Sequence, residues 1–88
     1  MNDSDVLGAA RLMFHDQMME LGRMSLKRPS QERDVSALTI TVNGKILKSI
    51  KERIQLLKEE IHQMITNGPQ EPANSLYQLN FQLFSLTA

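Results

Sequence analysis

The residues of this chain with some capacity for chemistry are few: His15 and His62, a handful of carboxylates and one run of cations. His15-Asp16 holds a base beside an acid that could orient it. On a helix, however, sequence neighbours diverge by about 100°. His62 follows a core-facing isoleucine by one position, with Lys58 a turn before it, so both histidines read as solvent-edge residues. Glu59 and Glu60 are adjacent and also point apart, which suits a solvated face better than a catalytic carboxylate pair. Gly44-Lys45 lacks the glycine-rich approach of a phosphate cradle. No pairing of histidines offers metal-ligand spacing, and the chain has no cysteine, which removes thiolate sites and disulfides together. Lys45, Lys48, Lys51 and Arg53 are the one basic density. They form a weak nucleic-acid candidate, because Glu52 interrupts them and no aromatic is interleaved with them. The expectation is a protein that is not an enzyme, with no cofactor and no metal.

Composition narrows the class further. Eighty-eight residues make one small domain, 1–88, with ten Lys+Arg balancing ten Asp+Glu. A balanced charge argues against a general polyanion binder. The apolar share of 41% and charged share of 23% are ordinary for a globular domain. A chain of this length buries only about 60–65% of its unfolded surface, so its core is marginal without a partner. No apolar run approaches ~18 residues, so no membrane span is expected. The acidic start, Met1-Asn2-Asp3-Ser4-Asp5, opens neither a signal nor a transit peptide. A cytoplasmic location is expected.

Four elements would have to position any site, in the order α-β-α-β. The first helix spans residues ~5–27, with Asp3 and Ser4 able to cap it. Leu7, Ala10, Phe14, Met18 and Leu21 share one face, which Val6, Met13, Met19 and Met24 widen. Pro29 stops this helix by forcing Arg28 out of the α region. Residues ~37–42 alternate Leu38, Ile40 and Val42 with Thr39 and Thr41, the pattern of a half-buried strand. Asn43 can cap the second helix, residues ~45–66, whose apolar positions step through Ile46 or Leu47, Ile50, Ile54, Leu57, Ile61 and Met64. Asn67-Gly68-Pro69 ends it, with Gly68 suited to a left-handed cap. A polar loop from Gln70 to Asn74 leads to residues ~76–86, where Tyr77, Leu79, Phe81 and Leu83 alternate with Gln78, Asn80 and Gln82 as a second strand. That alternation breaks at Phe84-Ser85-Leu86.

The fold class this implies is α+β: a small two-layer helix/sheet domain with a right-handed crossover between parallel strands. Two strands alone are marginal in water. The last strand, roughly 36 Å at ~3.3 Å per residue, would overrun the first, at about 20 Å. A sheet completed by dimerisation resolves both difficulties. The predicted interface is Phe14, Met18 and Leu21 on the helix with Leu79, Phe81, Leu83 and Phe84 on the last strand. The alternative is a monomer whose two helices cover the sheet. The group Met13, Met18, Met19 and Met24 could form either a packed seam or an adaptable docking groove.

Two segments carry a family resemblance. Gln31-Glu32-Arg33-Asp34-Val35-Ser36-Ala37-Leu38-Thr39 and the closing run Tyr77-Gln78-Leu79-Asn80-Phe81-Gln82-Leu83-Phe84-Ser85-Leu86-Thr87 resemble the end of a family of predicted bacterial transcription regulators. Ile50-Lys51-Glu52-Arg53-Ile54 fits the same family's intervening helix. The longer members join an N-terminal helix-turn-helix to a C-terminal domain of unknown function, and the match covers residues ~14–87. Ser85 stands where the family usually has proline, so a looser terminal bend is expected. The helix-turn-helix has no counterpart in this sequence, so direct DNA binding is not part of what the resemblance implies. It implies a regulatory or dimerisation module, a homodimer or a partner of a full-length regulator of the same family. A small-molecule sensor, and more weakly a nucleic-acid-binding protein, remain the alternatives.

Overall fold

The computed structural model describes residues 3–69 and 71–87. Its regular elements are two long helices, α1 (Asp3–Met24) and α2 (Gly44–Asn67), with two single 3-10 turns between them at Ser25–Lys27 and Ser30–Glu32. The chain divides into two compact units. One joins residues 1–37 to 77–88, and the other is Leu38–Leu76.

In the first unit, α1 ends as its sequence requires, although earlier than residue 27. Regular α geometry stops at Met24 and a 3-10 turn finishes the element. The Ser25 hydroxyl donates to the Gly22 carbonyl at 2.5 Å, so a side chain competes for a carbonyl of the last turn. Arg28 is extended, at φ −87° and ψ 160°, because Pro29 forbids it the α region. At the other end Asp3 and Ser4 lie inside the first turn rather than ahead of it. Beyond Pro29 the chain tightens into a polar knuckle. Arg28 Nε donates to Glu32 Oε2 at 3.3 Å and Arg33 Nε to the Arg28 carbonyl at 3.2 Å. The remaining segment of this unit, from Tyr77, has no regular element and bends at Leu86. The Ser85 hydroxyl accepts the Thr87 N–H there at 3.2 Å, a side-chain turn of the kind that serine makes readily.

In the second unit α2 begins on a cap. Asn43 Oδ1 accepts the Ile46 N–H at 2.9 Å, and the Asn43 carbonyl accepts the first helical bond from Leu47, also at 2.9 Å. Its other end differs from expectation. Gly68 is extended (φ −79°, ψ −177°) rather than left-handed. The cause is Pro69, which drives the residue before it to extended backbone and so excludes the left-handed cap. Gln70, the expected start of the polar loop, lies outside the described residues.

The α+β expectation is overturned. Among the described residues there is no strand and no sheet, so neither the two-layer arrangement nor a sheet completed by dimerisation describes this chain. Residues ~37–42 and ~76–86 form no regular element and no ladder. Alternation prepares one apolar edge, but a strand exists only when a second backbone takes its hydrogen bonds. Neither unit contains a fully buried side chain among the described residues. No described helix is long and apolar enough to cross a membrane.

Candidate interaction surface

The seven residues expected at an interface all fall in the first unit: Phe14, Met18 and Leu21 on α1, and Leu79, Phe81, Leu83 and Phe84 on the closing segment. At 100° per residue the three helical ones occupy an arc of about 60°. Met18 is half-buried, whereas Phe14 and Leu21 keep about half their surface exposed. Phe14 also meets the edge of the His15 ring, centroids 5.7 Å apart and planes at 67°.

Asn80 ties the closing segment to the helix. Its Nδ2 donates to the Met18 carbonyl at 2.9 Å, and its Oδ1 accepts from Gln78 Nε2 at 3.1 Å. A Cβ added at Gly22 would stand 3.5 Å from Asn80 Nδ2, an ordinary van der Waals contact, so the amide sits directly against this turn of the helix. Alternation alone puts Asn80 on a wet polar face and gives it no role. The signal that could have found it is its position between Leu79 and Phe81, where an amide can satisfy backbone while its neighbours stay apolar. Phe81 and Leu83 are the more covered aromatic and aliphatic members of the segment, and Phe84 is 70% exposed. The seven residues therefore lie on two segments of one unit, tied together by one amide, without full burial of any member.

The methionines do not gather into a groove. Met13, Met18, Met19 and Met24 spread over about 240° of α1, and of the four only Met18 is half-buried. Helical geometry also separates the basic candidates on α2. Lys45, Lys48 and Lys51 descend as one exposed ridge at three-residue steps. Arg53 lies about 140° from Lys48, on the far flank of the apolar stripe. That leaves a three-lysine ridge rather than a four-cation patch. Glu59 and His62 stand three residues apart on α2, a Glu-x-x-His spacing that corrects the expectation of no metal-ligand spacing in the chain. Among the described residues no group of three or more such ligands converges. On α1, Arg23 grips Glu20 in a two-pronged pair, Nη2–Oε1 2.5 Å and Nε–Oε2 3.1 Å. The hydrogen bond and charge of Arg23 hold the Glu20 carboxyl below its ordinary range, and Glu20 raises Arg23 in turn.

Among protein families, the one described as a domain of unknown function, DUF4423, matches residues 2–86. No curated protein and no solved structure matches the chain.

Proposed function

We propose, for a chain that belongs to the DUF4423 family, a non-enzymatic self-association module of the regulatory domain of a bacterial transcription regulator. One observation carries the reading: the described residues show large apolar side chains on both units and a fully buried side chain on neither. Apolar surface left in water forfeits about 25 cal/mol for each Å² that a partner would cover, and a contiguous exposed patch is the ordinary mark of an interaction site. Phe14, Leu21, Leu79 and Phe81 supply such a patch within the first unit, on a frame that Asn80 holds to α1. The resemblance to the end of helix-turn-helix regulators supplies the regulatory context. If the chain exists on its own in the cell, it would pair with a full-length relative and titrate it.

The test is the solution mass by light scattering over a hundredfold range of concentration. A mass of two chains is expected, with Phe81→Asp shifting it toward one chain. A constant single-chain mass overturns the self-association reading.

A further inference from the structure

We infer that α2 is a second, directional contact: it pairs antiparallel with α2 of another copy of this chain in one register. The inference rests on the self-association reading but uses a different unit and different residues. Leu47, Ile50, Ile54, Leu57, Ile61 and Met64 follow one another by three, four, three, four and three positions along a single uninterrupted helix. Those are alternating a and d positions over three heptads. Leu47, Ile50, Ile54 and Ile61 are half-buried, Leu57 is 43% and Met64 65% exposed, so the stripe still has room on it.

The a and d positions also set a register. In an antiparallel pair each a position meets a d position of the other helix. Leu47 then faces Met64, Ile50 faces Ile61 and Ile54 faces Leu57, each contact made twice about one twofold axis. All six positions find an apolar partner at the same height, and none is left over.

Charge selects the orientation. Helical geometry puts Arg53 and Glu60 together on one flank of the stripe and Lys51 and Lys58 on the other. Antiparallel pairing sets Arg53 against Glu60 of the second copy, two opposite-charge contacts, and Lys51 against Lys58, which oppose them. Parallel pairing sets Arg53 against Lys58 and lays the basic half of the helix, Lys45 to Arg53, beside itself. The parallel dimer has repulsion on this flank and no opposite-charge contact in return, and its two helix dipoles align unfavourably. The apolar layers supply the affinity, and Arg53 with Glu60 supplies the direction.

The chain has no cysteine of its own, so single thiols report cleanly. A disulfide needs Cα atoms within about 7 Å. Ile50→Cys mixed with Ile61→Cys is expected to cross-link under mild oxidation. Ile50→Cys alone is not, because two copies of position 50 would stand about 16 Å apart along the axis. Charge reversal is the companion test, and it leaves the stripe intact. Arg53→Glu and Glu60→Arg should each weaken the dimer roughly 3- to 30-fold at low salt, and the double variant should recover it. Self-cross-linking of Ile50→Cys overturns the antiparallel register. A wild-type dimer with no mixed cross-link and no effect of either reversal overturns α2 pairing, while association through the first unit stands. A wild type that stays monomeric overturns both.

Discussion

Asn80 and Glu20 show how much a single side chain contributes to an assembly with so little burial. Asn80 donates to the Met18 carbonyl, within α1, from a segment 62 residues away in sequence. Such a bond contributes about 1 kcal/mol net. Asn80→Ala should therefore release Tyr77–Leu86 from α1, seen as faster amide exchange across that segment with α1 itself little changed. Glu20 makes a pH-dependent contribution of known sign. Its carboxyl is lowered by Arg23, so the stabilisation is present above the ordinary glutamate range and is lost as pH falls through the lowered value. The helical signal should fall further on acidification in the wild type than in Glu20→Gln, whose acid limb is flattened. The glycines divide by what surrounds them. Nothing approaches the position of a Cβ on Gly8, so Gly8→Ala should raise helix stability by about 0.8–1 kcal/mol. A Cβ on Gly68 would collide with the Met64 carbonyl, so Gly68→Ala should fray the last turn of α2 in amide exchange.

At the level of elements, the two helices were legible because everything that makes a helix lies within a turn or so of sequence. Apolar residues at three- and four-residue steps, Asn43 ahead of α2 and the prolines at 29 and 69 are all local signals. Asn43→Ala should cost about 1 kcal/mol, read as lost helical circular dichroism and an earlier thermal midpoint. Boundaries were less legible where two local rules compete. Gly68 suits a left-handed cap taken alone, but the proline after it dictates extended backbone, and the proline wins because its constraint is steric. Ser25–Lys27 is a similar case, in which a hydroxyl bonding back to Gly22 accompanies a change from α to 3-10 geometry. Residues ~37–42 and ~76–86 mark the opposite limit. Their alternation is real, yet neither is a strand, because a strand needs a ladder with a second backbone, which alternation within one segment does not supply.

For the whole molecule the question is what covers the apolar surface. The closing segment is tied to α1 through Asn80, and no described residue on either unit reaches full burial. If self-association completes the cover, thermal stability should rise with protein concentration, since a partner that binds only the folded form stabilises it by mass action. A midpoint unmoved across a hundredfold dilution would count against that. Phe14, Met18 and Leu21 share a face by spacing alone, and Leu79, Phe81 and Leu83 by alternation. Both sets fall in one unit, but the sheet expected to be completed by the last segment does not form. Periodicity, caps and proline positions settled by themselves where this chain is helical and which faces are apolar, because those depend on contacts a few residues long. Only the tertiary structure decided that these two segments form no sheet and that the last one is tied to α1 through Asn80. Such choices depend on contacts between groups distant in sequence, as between the Asn80 amide and the Met18 carbonyl.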